Sequence, residues 1–85
     1  MKLLKKKVVE EPFVKMLGNE LVVATPQINR DNVTLTISEN NKDIFTDHSP
    51  GEIRKKYVLD DLNTGKYNVN LLMGDNSFNY SIDVK

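Results

Sequence analysis

No cysteine occurs in the 85 residues, which removes disulfides, thiolate nucleophiles and cysteine metal sites together. Histidine is nearly as scarce, with His48 alone. Zinc sites usually take several His or Cys ligands, so a single histidine argues against one. Any serine triad would have to use the same His48, and its neighbour Ser49 lacks the flanking glycines of a nucleophile elbow. The four glycines, Gly18, Gly51, Gly65 and Gly74, stand singly, so no phosphate-cradling loop can be drawn. No apolar run approaches the ~18 residues of a membrane-spanning helix. The start, Met1 to Lys7, is basic but lacks the apolar stretch of about 7–15 residues that a secretory signal needs. Charge of one sign is also missing: 12 basic and 12 acidic residues cancel. The chain as a whole therefore carries no field to steer it to nucleic acid or an anionic membrane.

What is present is alternation. Tyr67, Val69, Leu71 and Met73 fall at every second position, with Lys66, Asn68 and Asn70 between them. That period predicts a half-buried strand. Phe78, Tyr80, Ile82 and Val84 repeat it after Gly74-Asp75-Asn76, a hairpin turn of residue types that tolerate positive φ. Ahead of this hairpin, Leu62-Asn63-Thr64-Gly65-Lys66-Tyr67 sets an apolar anchor and a glycine before a strand-opening tyrosine. The order is that of a tyrosine corner, in which the hydroxyl turns back onto the backbone of the connection just crossed. The chain from 58 to 84 is the part around which the rest is organised.

Earlier segments continue the pattern. Residues 1–11 form a basic, then acidic leader, with Val8-Val9 as a possible edge-strand start. Phe13–Leu17 and Glu20–Thr25 flank Gly18-Asn19 as a second hairpin, bounded by Pro12 and Pro26. Residues 27–32 are a polar connection with Asn29-Arg30-Asp31 at its tip. Asn32–Glu39 alternates, with Val33, Leu35 and Ile37 inward. Asn40-Asn41 turns the chain into a short strand, Lys42–Thr46, followed by a loop at Asp47–Gly51. Glu52–Leu59 is a further strand whose inward parity, Ile53, Tyr57 and Leu59, is broken by Lys55. An inward lysine is a known device of edge strands against pairing with other chains.

Turns thus recur about every ten residues around roughly seven short strands, and no segment has a helical repeat. The expected fold is all-β: an immunoglobulin-like or fibronectin-like antiparallel β-sandwich, Greek key, occupying 12–85 as one domain. Its core is adequate but small, because a chain of 85 residues buries a limited share of its surface, and the 39% hydrophobic content fits a thin sandwich.

The search for chemistry returns little. Asp60-Asp61 with Asn63, and Asp75-Asn76, offer oxygens for calcium, but Asx-rich turns account for both. Arg54-Lys55-Lys56-Tyr57 is basic and aromatic, yet in a strand its charges alternate between faces and cannot form one patch. No catalytic, metal, cofactor or nucleic-acid role is assigned to any residue.

From Phe13 to Lys85 the chain resembles the small exported immunoglobulin-like domains of Bacteroidetes. The resemblance is carried by Val33-Thr34-Leu35-Thr36-Ile37, the short strand ending at Phe45, the segment from Tyr57 through Leu62 and Gly65 to Tyr67, and the closing Phe78 to Lys85. The chain is similar too to the C-terminal sorting domains of the type IX (Por) secretion system, although the Pro-Asn-Pro opening frequent in those is absent. The resemblance implies a secreted, periplasmic or cell-surface location. The expected function is that of a non-catalytic structural or interaction module that presents loops or a strand edge to a protein or glycan partner, as a monomer or weak dimer. A sorting signal is the alternative, and a small hydrolase the remote one.

Overall fold

The computed structural model describes residues 11–26 and 32–85; the expected strand start at Val8-Val9 and the turn tip at Asn29-Arg30-Asp31 lie outside them. The described residues form seven strands and no helix. They are β1 (Phe13–Leu17), β2 (Glu20–Ala24), β3 (Asn32–Glu39), β4 (Lys42–Pro50), β5 (Arg54–Val58), β6 (Gly65–Met73) and β7 (Asn76–Val84). Two antiparallel sheets result, one of three strands in the order β1-β2-β5 and one of four in the order β4-β3-β6-β7. Together they make a sandwich-like arrangement around one core.

The alternation in the sequence explains which side chains meet there. Leu21 and Val23 come from the small sheet. Val33, Leu35 and Ile37 come from β3, Tyr67, Val69 and Leu71 from β6, and Ile82 and Val84 from β7. Each is separated from the next by a solvent-facing residue, as the pleat of a strand requires. Ile53 and Leu59 flank β5 and are buried with them.

Hairpin chemistry joins neighbours. Between β3 and β4, Asn40 (φ 52°) and Asn41 (φ 65°) are both left-handed, the signature of a two-residue type I′ turn. Gly74 (φ 61°) supplies the positive φ between β6 and β7. Asp75 does not share it, which fits a type II′ turn with glycine first. β6 and β7 run to Met73 and from Asn76, so the hairpin is tighter than the three-residue Gly74-Asp75-Asn76 link expected.

Side chains complete the ladder where backbone pairing stops. The Thr25 amide donates to the Ile53 carbonyl at 2.9 Å, and Thr25 Oγ1 accepts from the Ile53 amide at 2.9 Å. A buried polar side chain thus continues the β2–β5 pairing beyond Ala24, ahead of Pro26. Asn19, in the β1–β2 turn, accepts at its carbonyl from the Leu59 amide at 2.8 Å. Its side chain donates to the Lys85 carbonyl at 2.8 Å and accepts from the Lys85 amide at 3.0 Å. One turn residue therefore ties the end of β5 and the last residue of the chain together. The Tyr67 hydroxyl donates to the Asn63 carbonyl at 2.6 Å, the backward bond that the position of the tyrosine implied. Burial, with the nearby Glu39 carboxylate, holds this phenol above its ordinary pKa.

Other boundaries depart from the sequence reading as well: β2 ends at Ala24 rather than Thr25. The loop expected at Asp47–Gly51 is instead strand: β4 runs on to Pro50, paired with the first half of β3 from Asn32↔Pro50 to Leu35↔Asp47. The proline terminates the strand at its end, where a missing donor costs nothing in the ladder. β5 is shorter than Glu52–Leu59, because residues 51–53 carry the chain from one sheet to the other. β6 begins at Gly65, two residues before the tyrosine expected to open it.

Candidate functional site

β4 is an edge of the large sheet and β5 an edge of the small one. Their inward side chains meet along one side of the molecule. Register fixes who takes part. Phe45 and Asp47 sit opposite Ile37 and Leu35, and Ser49 opposite Val33, so all three share the core-facing side of their sheet. On β5, Lys55 and Tyr57 sit opposite Val23 and Leu21 and share the core-facing side of theirs.

The meeting point is polar and aromatic. Asp47 Oδ2 accepts from the Tyr57 hydroxyl at 2.7 Å and from Lys55 Nζ at 3.0 Å. The Phe45 and Tyr57 rings pack edge to face, with centroids 5.8 Å apart. Ser49 Oγ donates to the Glu52 carbonyl at 2.7 Å. The Tyr57 bond, then the Lys55 bond, lowers the Asp47 carboxyl below its ordinary value, against a smaller opposing push from burial. Tyr57 moves the other way: burial first, then the Asp47 bond and charge, lifts its phenol well above the ordinary range. Lys55 thus breaks the apolar face as expected, and its ammonium closes the gap between the two edges.

Next to this seam lies a cleft of about 420 Å³. Ile44, Phe45, Tyr57, Val58 and Leu62 line it, with Lys56 and Asp61 among its walls. A β-bulge makes the cleft apolar. The β3–β4 register slips between Ile37 and Ser38, leaving Ile44 as the extra residue beside Phe45. Two consecutive apolar side chains are thereby exposed at one sheet edge, Ile44 at 39% and Phe45 at 43%. A second opening, about 390 Å³, separates β1 from β7 and is walled by Val14, Met16, Tyr80 and Ile82.

The sequence candidates for chemistry are dispersed. His48 lies on β4 rather than in a loop, its Nδ1 3.1 Å from Thr34 Oγ1 on the outer face. Ser49, one residue on, points to the opposite side of the strand and is engaged with Glu52. The two do not form a nucleophile–base pair. Asp60, Asp61 and Asn63 belong to the β5–β6 connection, Asp75 lies in the β6–β7 turn and Asn76 opens β7. Among the described residues no three His, Asp or Glu side chains gather to hold a metal. Arg54 and Lys56 share the outer face of the small sheet while Lys55 turns inward, as alternation requires.

Sequence reasoning missed Ile44, Phe45 and Asp47 as members of one site. Pro50 and Gly51 made Asp47 onward look like a loop, although the parity of Phe45, Asp47 and Ser49 was already that of a strand. The bulge at Ile44 has no sequence signal of its own.

Compared with known proteins, the chain matches no family profile, no curated protein and no solved structure.

Proposed function

We propose that the chain is a Greek-key sandwich of immunoglobulin-like or fibronectin-like type that works as a non-catalytic, exported interaction module. The chain order supports the Greek key. The path changes sheet after β2, after β4 and after β5, and Tyr67 bonds back across the last of these crossings at its entry to β6. Export rests on the resemblance of Phe13 to Lys85 to exported domains. A non-catalytic role is supported by the opposed directions of His48 and Ser49.

The partner reading is an extended protein segment at the β4 edge. One observation carries it: the apolar cleft of Ile44, Phe45, Tyr57 and Leu62 lies beside a nine-residue edge strand. An added strand gains affinity from main-chain bonds and specificity from alternate side chains placed in such a cleft. The test is selection of random peptides displayed on phage against the protein, followed by mapping of the bound peptide through amide chemical shifts. Shifts confined to β4 and β5, and loss of binding in Phe45→Ser, are expected. Selected peptides that map elsewhere, or that bind Phe45→Ser equally well, would remove the edge from the reading. Fractionation of the native cells with intact-mass measurement tests export separately; recovery of the full-length chain in the cytoplasm would end that part of it.

A further inference from the structure

Among the described residues β1 and β5 bound the small sheet, and β4 and β7 bound the large one. Edge strands usually carry a device against pairing with another chain: a lysine, a proline, a bulge or shortness. β4 has its bulge beside Ile44 and ends in Pro50. β5 is five residues long and opens with Arg54-Lys55-Lys56. β1 is also five residues long, follows Pro12 and carries Lys15 at its centre. β7 has none of these. Its nine residues, Asn76–Val84, include no lysine or proline and pair with β6 without a break in register. The two-residue turn makes Met73↔Asn76 a hydrogen-bonded pair. Alternation then commits the backbone groups of Phe78, Tyr80 and Ile82 to β6 and turns those of Ser77, Asn79, Ser81 and Asp83 to the open side. The inner face of β7 is covered unevenly. Ile82 and Val84 are 6% and 2% exposed, whereas Phe78 and Tyr80 are only partly buried. Val14 and Met16 of β1 lie against the second half of β7, and Asn19 bonds its end at Lys85, so the first half is left without cover.

We propose that β7 is the pairing edge of a homodimer: two copies meet antiparallel about a two-fold axis at Tyr80 and join their four-stranded sheets into one. The site is independent of the β4 edge, and the inference does not rest on the reading of that edge. Self-complementarity selects the occupant. A two-fold axis normal to the sheet keeps each face on its own side. Tyr80 then faces Tyr80 of the second copy, and Phe78 faces Ile82, so apolar meets apolar on the inner face. On the outer face Asn79 meets Ser81, and the Ser77 hydroxyl meets the Asp83 carboxylate. Asp83, the only charged residue of the strand, meets no like charge. The same register sets the outward backbone groups of Ser77, Asn79, Ser81 and Asp83 opposite one another, for about eight bonds between the chains. It also lays the uncovered end of each β7 beside the covered end of the other. Rival occupants fit less well. Burial first, then the Glu11 carboxylate, raises the Tyr80 phenol above its ordinary pKa, so the leader enters beside this edge. Lys5-Lys6-Lys7 and Val8-Val9 do not alternate, however, and a strand drawn through them would turn a lysine to the apolar side. Pairing of β7 with β4 of another copy would not close and would meet the bulge and Pro50. The strand is about 30 Å long and the sheets about 10 Å apart, so the abutting sides fall short of the ~800 Å² per partner of a standard interface. The dimer is therefore weak and depends on concentration.

Sedimentation and amide hydrogen exchange of the full chain over a concentration series test the inference. The sedimenting species should move from the 9.7 kDa monomer to twice that mass between roughly 10 µM and 1 mM. Over the same range the amides of Ser77, Asn79, Ser81 and Asp83 should exchange more slowly as concentration rises. Slow exchange of these four in a monomer at every concentration would assign the edge to the leader. Dimers in which the four still exchange fast would place the contact elsewhere, and a monomer throughout would mean that the edge does not pair. Each of these results would overturn the inference. Ser81→Pro removes one outward amide without taking a bond from β6, and should hold the chain at the monomer mass across the series. Ser81→Lys gives the edge the lysine it lacks and should raise the concentration of half-dimerisation about tenfold. Ser81 is exposed, and melting temperatures that match the natural chain at low concentration would show both variants folded. If Ser81→Pro does not fold, Ser81→Lys decides: association equal to that of the natural chain would remove β7 from the interface.

Discussion

The Asp47 carboxylate is held by two donors from the opposite sheet, and their effect has a definite sign. Its pKa in the folded chain lies below that of a free aspartate, so folding favours the ionised form. The stability this contributes is present above the ordinary carboxylate value of about 3.9 and is lost as pH falls through the lowered value. Tyr57 contributes in the other direction: its raised pKa favours the neutral phenol, so its share is present below about pH 10 and declines above it. Lys55 is about half exposed, so solvent screens its part of the pairing. We expect Asp47→Asn to lower stability by about 1 kcal/mol near neutral pH. The difference from the natural chain should stay level between roughly pH 5 and 9 and close below roughly pH 4. Thermal melts of both proteins across that range are the check. A gap that persists unchanged at the acid end would mean that the charge of Asp47 is not what the two donors hold.

Elements show where local chemistry was legible and where it was not. The β3–β4 turn was readable because asparagine is one of the few side chains that accept the left-handed region. Both Asn40 and Asn41 occupy it. A β-branched residue there should cost about 1–2 kcal/mol, so Asn41→Val is expected to lower the denaturant midpoint clearly, while Asn41→Gly should match or exceed the natural chain. Equal midpoints for valine and asparagine would mean that the turn relaxes to another geometry at little cost. The alternating strands, both flanking prolines and the backward bond of Tyr67 were legible for similar reasons, since each depends on residues within a few positions. The length of β4 was not. Whether Asp47 to Pro50 is loop or strand is decided by its partner Asn32 to Leu35, a dozen or more residues away, and not by its own turn-forming composition. The candidate site shared that fate. Phe45, Asp47, Lys55 and Tyr57 become one cluster only when two edge strands from different sheets are brought face to face. The basic run at Arg54 is divided between two faces as alternation requires, but Lys15 joins Arg54 and Lys56 on one face only through the β1-β2-β5 register.

At the scale of the whole molecule, three hairpins are joined into two sheets by two long-range pairings, β2–β5 and β3–β6. β6 and β7 form the segment that declares itself most plainly in the sequence, yet β6 is not an edge. Its second side pairs with β3 from Val33↔Met73 to Ser38↔Asn68, and its inner face packs with Leu21 and Ile53 from the other sheet. An isolated hairpin is marginal at best in water, because it has neither a third strand nor a covered apolar face. The fragment 58–85 alone should therefore give the circular dichroism of an unfolded chain. In the intact protein, native-state hydrogen exchange should find the slowest amides in β3 and β6, which are paired on both sides and buried on one face, with β1 and β4 opening at lower free energy because each is an edge strand among the described residues. Folding should also be slow for a chain of this size, since β2–β5 and β3–β6 must close long loops before either sheet is complete. A fragment 58–85 that shows cooperative thermal melting would sink this account. It would mean that the terminal hairpin folds first and alone, and that β3 docks onto a preformed edge rather than completing a structure that cannot exist without it.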